Sequence, residues 1–147
     1  MADKEQVHIK LGLSGTYWDK KPQYRVSVNG QVFAENSITA DSDTVEYVEF
    51  DVEYSTDSST LKIELMGKEF SDTVQNADKT AILKDMLLNI VSIEIDEIDL
   101  GQIPFKHSEY HPLDQDNVIR ECMNLGWNGV WTLTWTNPFY IWLLETI

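Results

Sequence analysis

The chain has 147 residues, 42% of them hydrophobic and 24% charged. That length suits a single domain able to bury roughly 70% of the surface its unfolded form exposes. With 25 acidic against 11 basic side chains, the formal charge is −14. This argues against nucleic acid and membrane as partners, which are held by Lys and Arg, and makes cations the natural counterpart. Cys122 is the single cysteine, so an internal disulfide is impossible. The opening Met1-Ala2-Asp3-Lys4-Glu5-Gln6 lacks the apolar core of a signal peptide, and residues 139–144 are too few to span a bilayer. The expectation is a soluble, unprocessed protein.

Taken in order, Val7, Ile9, Leu11 and Leu13 alternate with His8, Lys10 and Gly12, which predicts a strand with one buried face. Residues 14–22 read as a loop carrying Tyr17 and Trp18 among polar and turn-forming residues. Tyr24, Val26 and Val28 then alternate with Arg25 and Ser27; Asn29-Gly30 supplies the positive φ of a type I′ turn, and residues 31–34 return as a hairpin. Val48, Phe50, Val52 and Tyr54 face away from Tyr47, Glu49, Asp51 and Glu53, predicting a strand with an acidic outer face. After the turn at 55–59, Leu61, Ile63 and Leu65 predict a further strand, expected to pair with the preceding one as a hairpin.

A polar loop at 71–79 leads into residues 84–96, which are apolar on both faces from Met86 to Val91 and then alternate Ile93 and Ile95 against Ser92, Glu94 and Asp96. This pattern predicts a central strand covered on both faces. Beyond Gly101, residues 103–117 look irregular, with two prolines, and 118–124 read as a short helical turn. Trp131, Leu133 and Trp135 predict a strand; Asn137 as N-cap and Pro138 at the first helical position point to a short terminal helix over Phe139–Thr146, with a strand as the alternative. Short strands between turn clusters, with no long helical pattern before Gly101, point to an all-β fold, a jelly-roll-like antiparallel β-sandwich. Residues 1–101 are expected to form its core, and 102–147 an aromatic-rich C-terminal extension packed on the same domain.

Asp72, Asp78 and Asp85 crowd the entry to the 84–96 strand, and two readings stand open. They converge on Ca²⁺, a hard ion that takes six to eight oxygens, or they form a solvated acidic loop. His107, Glu109 and His111 share a face if that segment is extended, although Pro112 beside them points to an ordinary loop. Asp114-Gln115-Asp116-Asn117 begins like an EF-hand loop, but Val118 and Ile119 occupy positions that need a ligand and a turning glycine. No nucleophile elbow, zinc motif or phosphate-cradling glycine loop is present, so an enzyme is not expected. Tyr17 and Trp18 either stack on a sugar or partner, or plug one end of the sandwich. Trp127, Trp131 and Trp142, with Trp135, Phe139 and Tyr140, are denser than one small core needs, so part of the set is expected at an interface with another chain or as cover for an open edge.

The run Leu61–Leu65, the acidic loop, and Asp85 leading into Leu88, Ile90, Ile93 and Ile95 resemble the calcium-dependent xylan-binding modules, small jelly rolls attached to bacterial glycosidases. In that family an Asp-Arg-Asn-Leu-type run opens the last strand, and loop acids beside it hold a Ca²⁺ that bridges protein and sugar hydroxyls. Here the run reads Asp85-Met86-Leu87-Leu88, and Gly67-Lys68 stands where the family has Asn-Asp. Gly12-Leu13-Ser14-Gly15-Thr16-Tyr17-Trp18-Asp19-Lys20, residues 84–96 and Asn124-Leu125-Gly126-Trp127-Asn128-Gly129 resemble small virion proteins of tailed bacteriophages, marine and cyanobacterial ones especially. Together the resemblances imply a non-enzymatic structural or decorating protein of a phage particle, soluble in the host cytoplasm before assembly. Other virion proteins or further copies of itself would be its partners. The alternative they imply is a Ca²⁺-dependent module that binds a cell-surface glycan for host attachment.

Overall fold

The structure is a computed structural model that describes residues 5–54 and 56–147. Residues 1–4, where the N-terminal reading falls, and Ser55 of the turn after Tyr54 lie outside the described residues. In chain order the strands are β1 (Glu5–Thr16), β2 (Gln23–Val28), β3 (Gln31–Ser37), β4 (Glu46–Tyr54), β5 (Ser58–Met66), β6 (Val74–Gln75), β7 (Ile82–Lys84), β8 (Leu87–Ile95) and β9 (Ile98–Asp99). A single turn of 3₁₀ helix, Phe70–Asp72, precedes β6. Then come helix α1 (Ile103–His107), β10 (Glu109–Pro112), β11 (Ile119–Arg120), β12 (Asn124–Leu125), β13 (Gly129–Thr136) and helix α2 (Phe139–Thr146).

These strands form an antiparallel β-sandwich. One sheet runs β12-β8-β1-β4, with β9 folded back on β8; the other runs β11-β10-β13-β5-β2-β3; β6 and β7 make a separate small hairpin. The core lies between the sheets. Ile9, Leu11, Leu13, Leu88, Ile90, Ile93 and Ile95 of the first meet Val26, Val28, Leu61, Ile63, Leu65, Trp131 and Leu133 of the second, all of them buried. Alternation along each strand dictates this, since successive side chains point to opposite faces.

β8 is an interior strand, as the sequence predicts, but its outward face is covered only in part: Asn89 is buried, while Val91 is half-exposed. Its inward residues are spaced by two, then by three from Ile90 to Ile93, then by two again. The β1–β8 register slips at that point: Gly12 opposes Ser92 and Leu13 opposes Ile90, leaving Val91 as the extra residue of a β-bulge, half-exposed. The apparently two-sided apolar run is therefore one inward apolar row interrupted by a bulge.

The Asn29-Gly30 hairpin forms with φ of 52° and 83° at the two turn residues. The hairpin expected between β4 and β5 does not. β4 pairs with β1, and β5 lies between β13 and β2 in the opposite sheet. Both strands carry a buried row, Val52 and Tyr54 on one and Leu61, Ile63 and Leu65 on the other. The chain brings these rows face to face across the core rather than side by side.

Residues 102–147, expected to pack on the sandwich, are woven into it: β13 is the strand between β10 and β5, and β12 borders β8. Residues 103–107 form a helix begun by Pro104 in its first turn, and Phe105 packs on Trp131 with centroids 6.2 Å apart. The helical turn expected at 118–124 is instead β11 and β12. Ile119 pairs with Tyr110 and Leu125 with Leu88, and Glu121 between them takes a positive φ of 55° that a helix does not allow. α2 forms over the predicted residues, but Pro138 is the N-cap. Asn137 ties down the turn before β5 instead, its Nδ2 donating to Thr56 O and Ser59 Oγ at 2.9 Å each.

Candidate functional site

One end of the sandwich gathers the polar residues that the sequence singles out. The segment 67–72, leaving β5, runs between Trp18 and residues 126–128. Trp18 Nε1 donates to Asp72 O at 3.0 Å. On the other side Lys68 N donates to Asn128 Oδ1 at 2.8 Å, and Asn128 Nδ2 returns a bond to Lys68 O at 2.9 Å. Tyr110, fully buried in β10, accepts from Trp127 N at 3.0 Å and donates to Trp127 O. Burial pushes its hydroxyl up to about 12, against the opposing hydrogen bond to Trp127.

Two ammonium groups sit within this end. Lys68 Nζ, its side chain 10% exposed, is 2.8 Å from Asp85 Oδ1 and 2.6 Å from Gly126 O. Lys20 Nζ donates to Gly67 O and lies 3.3 Å from Glu69 Oε1 and 3.7 Å from Asp72 Oδ2. Asp85 also accepts from Thr73 Oγ1 at 2.7 Å and from Met86 N at 2.8 Å. Burial works to raise its carboxyl, but the bonds from Lys68, Thr73 and Met86 outweigh it and hold the group below its ordinary value.

The three acids proposed as metal ligands are not brought together. Asp78 is exposed in the turn of the β6–β7 hairpin. Asp72 is buried and accepts from Glu69 N at 2.7 Å, closing the 3₁₀ turn, while Asp85 is spent on Lys68, Thr73 and its own strand. Among the described residues no group of three or more His, Cys, Asp or Glu side chains is disposed to hold a metal ion. Ca²⁺ needs a shell of oxygens around an open position. Here Asp85 is taken up by Lys68 and Thr73, Asp72 by Glu69 N with Lys20 at 3.7 Å, and Asp78 lies apart, so the three do not fit the ion. His107 also parts from Glu109 and His111. His107 packs edge-on against Trp142, and Glu109 bridges His111 at 3.2 Å and Arg120 at 3.0 Å.

The aromatic set divides. Tyr17 is half-buried, its hydroxyl donating to Ala40 O at 2.9 Å, as a plug would be. Trp18 is 44% exposed with Lys84 Nζ 4.9 Å from its ring centroid, and Trp127 is 49% exposed. Trp131 is wholly buried and donates to Cys122 O at 3.1 Å, so it belongs to the core and offers a partner no surface. Trp142 is half-buried between His107 and Phe139. Tyr140, one of the aromatic set expected in part at an interface, is exposed; not anticipated from the sequence are Lys20 and Lys68, and the exposed Phe70, Ile141, Leu144 and Ile147. The signal for Lys68 lay in its replacing an expected acid. Beside Trp127, a cleft of about 150 Å³ is lined by Glu64, Met66, Leu113, Asn128 and Val130. Ligand pockets run to about 300–1,000 Å³, so this cleft is smaller than a usual ligand pocket.

No protein-family model and no curated protein sequence matches the chain. Solved structures do. vCBM60 in its selenomethionine form, described with two families of calcium-dependent carbohydrate-binding modules, superposes with a TM-score of 0.55 at 8% identity, covering 86% of this chain and 89% of that one. vCBM60 in complex with galactobiose gives 0.53 at 8% identity, covering 86% and 96%. At this identity the likeness is one of fold: the chain is an antiparallel β-sandwich of the carbohydrate-binding-module kind.

Proposed function

We propose that this chain is a non-enzymatic structural or decorating protein of a bacteriophage particle, a binding-module sandwich that docks on a neighbouring virion protein through the outer face of α2. The observation that carries the reading is the helix's two-sided apolarity. Phe139, Trp142 and Leu143 pack on the sandwich, while Tyr140, Ile141, Leu144 and Ile147 are exposed. A short surface helix normally keeps its outer face polar. A charge of −14 works against self-association, so the occupant is a different protein with an apolar centre rimmed by Lys or Arg. The likeness of residues 12–20 and 124–129 to virion proteins supports the particle context and, with it, residence in the virion.

The test replaces Ile141 and Leu144 by Ser and follows incorporation into particles, with circular dichroism as the control for folding. Retained fold with lost incorporation is expected; unchanged incorporation refutes the docking face. A second reading, glycan recognition at the Trp18 and Trp127 end, is favoured by two half-exposed indoles bracketing a polar segment and by the sugar complex of a fold neighbour. A glycan array on wild type and the Trp18→Ala, Trp127→Ala double variant decides it: hits lost in the variant support the reading, and their absence in wild type removes it.

A further inference from the structure

We infer that Lys68 and Lys20 are tethered cations taking the oxygens that a hard metal ion would take, so that this end of the molecule is ordered without a metal. The inference is independent of the docking reading. Three observations join in it. The fold is like that of a module described among calcium-dependent carbohydrate-binding modules, yet the acids at this end are met by lysines. Each ammonium is surrounded by what a hard cation takes: Lys68 by the Asp85 carboxylate and the Gly126 carbonyl, and Lys20 by the Gly67 carbonyl and the carboxylates of Glu69 and Asp72. And Lys68 is almost entirely covered, its stem packed and its backbone fixed to Asn128 in both directions, so the charge is held in place rather than waving in solvent.

The substitution has a physical logic. A divalent ion neutralises several acids but must be captured from solution, and its stabilisation depends on its concentration. A lysine supplies a single positive charge, so fewer acids can surround it. Asp78 accordingly lies outside both clusters, in an exposed turn. The lysine's charge is covalently attached and does not dissociate. Lys68 joins 67–72 to 126–128 across the sandwich end, and Lys20 joins the same segment to the loop that carries Trp18. Any ligand bound at this end would then be bound without a metal bridge.

The experiment is thermal unfolding of the full chain in millimolar calcium and in chelator, for wild type, Lys68→Met and Lys68→Asp. Wild type is expected to melt at the same temperature in both. Lys68→Met keeps the apolar stem but removes the charge, and is expected to melt lower by on the order of 5 °C in both conditions. Lys68→Asp removes the ammonium and adds a carboxylate, leaving between it and Asp85 a gap that an ion can fill; its midpoint is expected to fall in chelator and recover in calcium. A wild-type midpoint raised by calcium overturns the inference, as does a Lys68→Met protein as stable as wild type or a Lys68→Asp protein indifferent to calcium. If Lys68→Met does not fold, calorimetric titration of calcium into wild type decides: a saturable heat overturns the inference, and a flat titration upholds it.

Discussion

Tyr110→Phe isolates one interaction that holds the candidate site in place. The ring sits at 0% exposure in β10 and stays after the substitution, so no cavity opens. What goes is the hydroxyl, which bridges both backbone groups of Trp127, accepting from its N–H at 3.0 Å and donating to its carbonyl. Each bond contributes about 0.5–1.5 kcal/mol net, and the abandoned N–H and C=O weigh toward the upper end, so a loss of about 1–3 kcal/mol is expected. For a domain of this size that lowers the thermal midpoint by roughly 3–10 °C. Urea unfolding should give a lower midpoint at unchanged m-value. The difference should also persist into alkaline solution, because burial holds the hydroxyl's pKa at about 12. A variant as stable as wild type would refute the reasoning. So would a loss that disappears by mildly alkaline pH.

Four further outcomes follow from the geometry. Gly129→Ala places a Cβ 2.5 Å from His111 O and 2.7 Å from Pro112 Cα, backbone atoms held by the β10–β13 pairing, so it should cost about 1–3 kcal/mol or more by urea unfolding. Gly30→Ala meets open space at a φ of +83° and should cost only about 1 kcal/mol. Asp85 has a lowered folded pKa, so its contribution is present above the ordinary carboxylate range and is lost as pH falls through the lowered value. Asp85→Asn should therefore flatten the decline in thermal midpoint below about pH 4, and an unchanged acid limb would count against the Lys68 pair. His8 is raised first by its 2.8 Å bond to Asp51, so its contribution is present below the ordinary value and is lost as pH rises through the raised one. NMR titration should show Asp51→Asn returning it toward the ordinary value.

Strand content and the inward faces were legible because a sandwich core imposes period two on nearly every strand, as in Ile9, Leu11 and Leu13 or Trp131, Leu133 and Trp135. Pairing partners were less so. Nothing in β4 or β5 distinguishes a neighbour in the same sheet from one across the core, since both arrangements bury the same residues. β11 and β12 were hidden for another reason: each is two residues long, too short for any period to register. The candidate site was read by its acids alone. Asp72 and Asp85 do lie at one end, but the lysines that neutralise them come from residues 20 and 68, and that proximity is set by tertiary folding rather than by local pattern.

The distribution of charge ties the two functional readings to the fold. The outer face of β4 carries Glu49, Asp51 and Glu53, with Lys10 3.8 Å from Glu49 and His8 beside Asp51. These pairs are exposed to solvent and screened, so that face stays solvated. Burying it against a partner would desolvate several like charges, a cost of several kcal/mol unless basic groups met them. The Lys68 end is different, because its acids are already answered from within and it can be covered without importing a cation. The apolar face of α2 carries only one charge, Glu145, among its exposed side chains. A partner approaching this molecule would therefore meet least electrostatic resistance at the helix, with the acidic sheet left to water and to whatever Lys and Arg rim the contact.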